Sequence, residues 1–155
     1  MTVVIDVGCA EYPGAESVRQ LVERFKPSLL YGIDPAATPG TTWVNDTRVI
    51  RLRAAAWTEI GEVGFDVNGM CSKIGNGPPV STLDLALIVR RAAARNQPVI
   101  LKLDCEGAEY ELLEYLLETG DADHLDKVLV EWHGHEAERR DAITARLNCP
   151  VEGWQ

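Results

Sequence analysis

Two clusters of carboxylates and imidazoles hold most of the chemistry available to this 155-residue chain. Asp104, Glu106 and Glu109 follow the apolar run Val99–Leu103, and Glu131, His133 and His135 close the run that begins at Lys127. Neighbouring parallel strands lie about 5 Å apart, so groups at two such ends can converge. Glu131 and His133 share one face by the two-residue period of a strand. An imidazole, with an ordinary pKa of about 6.5, can take the proton of a poorly nucleophilic hydroxyl, and carboxylates can assist it. Asp104, His133 and Glu131 are therefore the candidate catalytic residues. The same three can equally ligate Mg²⁺ or Mn²⁺. Blander roles exist for the rest. Glu109 and Glu111 fall where a helix N-terminus favours negative charge, and His135 fits a solvated turn.

A second set of residues suits a nucleoside. The strand-like Val3–Val7 ends on Asp6-Val7-Gly8, an amphipathic segment runs from Ala15 to Phe25, and Leu29–Ile33 ends on Asp34. Strand, glycine turn, helix, strand and acid make a nucleoside-binding βαβ pattern. The glycine permits close backbone approach, and the second acid can take both ribose hydroxyls. The Gly-x-Gly-x-x-Gly that cradles a pyrophosphate is absent. Asp6 would repel a diphosphate, whereas a ligand carrying an amino group or a sulfonium suits it.

The elements that must position these groups alternate as strand and helix, which predicts an α/β domain covering residues 1–155. Strands are expected at Val3–Val7, Leu29–Ile33, Val49–Leu52, Val99–Leu103 and Lys127–Trp132. Helices are expected at Ala15–Phe25, Leu83–Ala94, Ala108–Leu117 and Glu136–Leu147. Residues 62–67 alternate like an edge strand or hairpin arm, and Asn68–Pro79, rich in glycine and proline, reads as a mobile flap. Lys102 interrupts an apolar strand and Asp84 opens a helix as its cap; both are read as structural. Arg90, Arg91 and Arg95 are read as the solvated face of their helix.

The strings VVIDVG (3–8), YGIDP (31–35), RLRAAAW (51–57), VSTLDLAL (80–87), LKLDCEGAEYELL (101–113) and VLVEWHGH (128–135) occur in this order. In them the chain resembles the class I S-adenosylmethionine-dependent methyltransferases, and among these the FkbM-type family. The resemblance implies a Rossmann-like three-layer sandwich, its mostly parallel sheet ordered 3-2-1-4-5. It implies S-adenosyl-L-methionine as cofactor and a small-molecule or sugar hydroxyl as acceptor. Asp6, Gly8, Cys9 and Ala10 would hold the methionine end, Asp34 the ribose, and Ala55, Ala56 and Trp57 the adenine, with Asp104 bordering both cofactor and acceptor. Two departures stand out. Tyr12 occupies a position where the family usually has glycine, and the family's closing β-hairpin is expected to be missing, leaving strand five as an open edge. Such an edge suits a homodimer or a partner protein.

Composition narrows the choice. A net charge of −9 and a pI near 4.8 disfavour nucleic acid as a partner. No run of about 18 apolar residues suggests a membrane span. The N-terminus lacks a signal-peptide pattern, which predicts a cytoplasmic protein. Cys9, Cys71, Cys105 and Cys149 show no Cys-x-x-Cys pairing and read as reduced thiols. Two other functions remain open: a non-catalytic nucleoside-binding or interaction module on the same fold, and a nicotinamide-dependent oxidoreductase.

Overall fold

The computed structural model describes residues 1–9, 16–66, 68 and 72–154. The strands are β1 (Val3–Val7), β2 (Leu29–Ile33), β3 (Gly40–Val44), β4 (Thr47–Leu52), β5 (Ala55–Trp57), β6 (Gly61–Asp66), β7 (Lys73–Asp84), β8 (Val99–Leu103), β9 (Lys127–Val130) and β10 (Val151–Gly153). The helices are α1 (Ser17–Phe25), α2 (Leu85–Ala93), α3 (Glu109–Thr119) and α4 (Ala137–Arg146). Among the described residues no helix is long and apolar enough to cross a membrane.

A seven-stranded sheet runs in the order β10-β9-β8-β1-β2-β4-β3, parallel throughout except for β3. The central strands β1, β2 and β8 are buried along their whole length. Their near-continuous apolar runs follow from having both faces covered. Alternation sends Val3, Ile5, Val7, Leu101 and Leu103 into the core that contains residues of α2, α3 and α4. Val4, Leu30, Ile100 and Leu129 face the opposite core, with Val18, Leu21 and Val22 of α1. The result is the mixed α/β, three-layer arrangement expected of a Rossmann-like fold.

Several boundaries depart from the sequence reading. The sheet is not open at its fifth expected strand, because β10 pairs in parallel with β9 and the Trp154 N–H donates to the Val130 carbonyl at 3.0 Å. Glu152 of β10 is held by Lys127 at 2.5 Å and Arg24 at 2.7 Å, pairings that fix the added strand. On the other side, β3 folds back on β4 through Asn45 and Asp46, with Asn45 in the left-handed region that asparagine tolerates. The segment read as a flap is mostly strand. Residues 73–79 belong to β7, which pairs with β6 and β5 in a separate three-stranded sheet; Val67 and residues 69–71 lie outside the described residues. Arg90 is also more than solvated surface, since it grips the buried Asp121 with two hydrogen bonds of 2.7 Å. Asp84 caps α2, accepting from the Ala86 and Leu87 N–H groups.

Candidate functional site

The parallel register brings the ends of five strands into one row. Val7 lies opposite Ile33 and Leu103, Ile33 opposite Leu52, and Leu103 opposite Val130. In four of the five the next residue continues the ladder. Gly8 N–H donates to the Ile33 carbonyl at 3.0 Å, Asp104 N–H to Val7 at 3.1 Å, Asp34 N–H to Leu52 at 3.1 Å and Glu131 N–H to Leu103 at 3.0 Å. Gly8, Asp34, Asp104 and Glu131 are thus fixed side by side at the carboxyl edge, where open α/β sheets bind ligands.

Gly8 is required here on steric grounds. Its φ is +80°, and a Cβ would sit 1.7 Å from the Asp104 carbonyl oxygen. Close approach of these two strand ends forms the floor of the edge. Gly32 matters for a similar reason, since its Cβ would meet Cys9 Sγ at 2.9 Å.

Beneath that floor lies a charge cluster on the α1 face. Asp6 and Lys102 occupy adjacent strands in register, and both side chains are 0% exposed. Lys102 Nζ is 3.1 Å from Asp6 Oδ1 and 3.3 Å from Asp104 Oδ2. It also donates to the carbonyls of Gly8 at 2.9 Å and Val7 at 3.3 Å, and lies 5.8 Å from the centre of the Trp154 ring. Burial pulls the ammonium pKa down, but the Asp6 and Asp104 charges outweigh it and hold the group above its ordinary value. Ser17 Oγ donates to the other oxygen of Asp6 at 2.6 Å. Asp6, the candidate for the methionine end of a cofactor, has a wholly buried carboxylate that pairs with Lys102 and accepts from Ser17.

On the opposite side of Asp104, the catalytic candidates meet. His133 Nε2 lies 3.9 Å from Asp104 Oδ1, 3.7 Å from Glu106 Oε1 and 3.6 Å from Glu131 Oε1. Asp104, Glu106 and His133 each offer a ligand atom within 4.8 Å of the others, a grouping open to a cation. The chain reverses between β8 and α3 through two successive positive-φ residues, Glu106 (55°) and Gly107 (106°). A left-handed glutamate is uncommon, and this one brings its carboxylate to the His133 ring. His133 is only 23% exposed; the loop bearing it is pinned by Trp132, whose ring centroid is 5.1 Å from that of Tyr110 on α3.

Glu109 and Lys102 have larger parts in the site than a helix-start acid and a structural lysine. Glu109 is fully buried, accepting from Gly107 N–H at 2.9 Å and His133 N–H at 2.6 Å, with His133 Nδ1 at 3.2 Å. The signal available in sequence was a second acid three residues after Glu106. Lys102 was signalled by a lone cation within an apolar strand.

Asp34 is half-buried at its strand end, and its Oδ1 accepts from Ala36 N–H at 2.7 Å. Ala55 and Ala56 are buried in β5, and Trp57 packs partly against the larger core. Cys9 is buried; burial first, then the Asp6 and Asp34 charges, push its thiol far up. Burial and Glu109 do the same for Cys105, so both behave as inert thiols rather than nucleophiles. Cys9, Cys105 and Cys149 are free. His135 is exposed. Ala10, Tyr12 and Cys71 lie outside the described residues.

A family model described as the methyltransferase FkbM domain matches residues 32–148. That span takes in Asp34, Asp104, Glu131 and His133 and begins after Asp6 and Gly8. No curated protein and no solved structure matches the chain significantly.

Proposed function

The chain belongs to the FkbM methyltransferase family, and we propose that it methylates a hydroxyl of a small molecule or sugar, using S-adenosyl-L-methionine. The observation that carries this reading is the adjacency of two differently equipped regions on one sheet edge. Gly8 and Asp34 end the first two strands, while Asp104, Glu131 and His133 gather at the ends of β8 and β9. The edge also fits such a donor electrostatically. Its carboxylates favour a ligand carrying a sulfonium and an amino group, and an acid at the end of the second strand, as Asp34 is, can accept from ribose hydroxyls.

When bound, the donor supplies an electrophilic methyl group. The chain's own residues do the rest. Asp34 accepts hydrogen bonds from the ribose hydroxyls, and the bare Cα of Gly8 lets backbone approach the ligand. His133 Nε2 would take the proton of the acceptor hydroxyl as that oxygen received the methyl group, the thioether of the donor being the leaving group. Asp104, Glu106 and Glu131, all within 3.9 Å of Nε2, compensate the imidazolium so formed. Holding nucleophile and methyl in line contributes several kcal/mol by positioning, on the order of what well-oriented intramolecular reactions gain. A second reading draws on the cluster of Asp104, Glu106 and His133, whose atoms lie within 4.8 Å: Mg²⁺ or Mn²⁺ held there would lower the hydroxyl pKa directly.

The deciding experiment is calorimetric titration with S-adenosylhomocysteine, with NAD as control, followed by an acceptor screen with and without Mn²⁺. Micromolar binding of the first ligand alone supports the assignment. Preference for NAD would sink it in favour of an oxidoreductase. Binding with no turnover across hydroxyl acceptors would leave a nucleoside-binding module.

A further inference from the structure

We propose that Glu109 is a positioning residue that locks His133 in the Nδ1–H tautomer, so that the Nε2 lone pair faces Asp104, Glu106 and Glu131. Its functional consequence rests on the methyltransferase reading; its content rests on geometry alone. Glu109 sits at the start of α3 with its carboxylate wholly buried. Both oxygens are committed as acceptors by backbone donors that cannot reverse. Oε2 takes Gly107 N–H at 2.9 Å, with Cys105 Sγ 3.6 Å away, and Oε1 takes His133 N–H at 2.6 Å. The imidazole Nδ1 stands 3.2 Å from that same Oε1. An ionised carboxylate has only acceptors to offer, so the ring nitrogen that faces it is the donor and the ring proton belongs on Nδ1.

The opposite nitrogen then carries a lone pair, directed toward three carboxylates 3.6–3.9 Å away. None of the three is close enough to be its hydrogen-bond partner. This is the arrangement both readings of the site require, since a proton acceptor and a metal ligand each need the lone pair at Nε2. Had the proton sat on Nε2, the ring would offer only a donor to the acceptor hydroxyl, and proton removal would fall to the carboxylates. One buried acid thereby decides which group of the cluster acts as base. Because it also anchors the backbone N–H of His133, it fixes the ring's place together with its proton.

The test is long-range ¹H–¹⁵N NMR of the ligand-free chain labelled at histidine, with the His133 signals identified by their loss in His133→Gln. The pH is raised until the ring spectrum stops changing, so that the neutral form is read. In the wild type the Nδ1–H tautomer is expected to dominate, the reverse of the usual preference of a free histidine side chain. In Glu109→Gln it should fall below half of the population, while calorimetry finds S-adenosylhomocysteine affinity within about twofold of wild type. A wild-type His133 carrying its proton on Nε2 overturns the proposal, and it does so even if the variant fails to fold. So does an unchanged tautomer in folded Glu109→Gln, which would reduce Glu109 to a cap of the α3 turn. Failure of the wild type to bind S-adenosylhomocysteine would strike the methyltransferase reading and leave the tautomer result standing.

Discussion

Lys102 Nζ and Asp6 Oδ1 meet 3.1 Å apart in the middle of the sheet, with neither side chain reaching solvent. The same ammonium lies 3.3 Å from Asp104, so a wholly buried cation supports a carboxylate of the exposed edge. Asp104 is therefore held from below by Lys102, while its other oxygen faces His133 Nε2 at 3.9 Å.

Removing one partner of this pair should be costly. Lys102→Met leaves Asp6 buried without its counter-ion and is expected to destabilise the fold by about 3–5 kcal/mol in urea denaturation. Adding Asp6→Asn should recover much of that loss, because the stranded charge disappears with it. A loss below about 1 kcal/mol for Lys102→Met, the level of an ordinary substitution, would show that the pair is not dry.

Asp34→Ala is expected to weaken S-adenosylhomocysteine binding by about 1.5–3 kcal/mol, the value of hydrogen bonds to a charged group. Calorimetry reads this directly, with thermal melting to check that the fold survives. Affinity equal to wild type would remove the ribose from Asp34.

Asp104→Asn and His133→Gln should separate chemistry from cofactor binding. Each is expected to lower turnover with a responsive acceptor by about a hundredfold or more, the share of a general base, while cofactor affinity holds. Parallel loss of turnover and affinity would move Asp104 to the cofactor side of the site.

Acid should weaken the fold partly through Asp121. The two hydrogen bonds from Arg90 hold its carboxyl below the ordinary aspartate range, outweighing the opposite effect of burial. A folded-state pKa depressed in this way contributes stability above the unfolded value, about 3.9, and that contribution is lost as pH falls through the folded value. Urea midpoints followed from neutral pH to about pH 3 should therefore fall less steeply for Asp121→Asn than for wild type in this window. The variant should also start lower at neutral pH. Parallel curves would show that the Arg90 pairing carries no linked stability.

Much of the fold was legible from residue pattern alone. Near-continuous apolar runs such as Val99–Leu103 identify strands buried on both faces, because only a sheet covered on both sides excludes polar residues from both. The acids that stop those runs, at positions 34, 104 and 131, mark the carboxyl edge, since the chain must leave the core there. Alternation also separated Lys102 from Leu101 and Leu103. What it could not supply was register, which depends on contacts between segments far apart in the chain. Register sets Asp6 beside Lys102, and so makes the acid of the first strand the counter-ion of a buried ammonium. The extra strand β10 was invisible for a related reason: Val151–Gly153 is too short to show a period, and pairing with β9 makes it a strand. Glu109 is the clearest case. Its place in the first turn of a helix was legible, but its role depends on His133, 24 residues away, and only the packing of α3 against the end of β9 brings the two together.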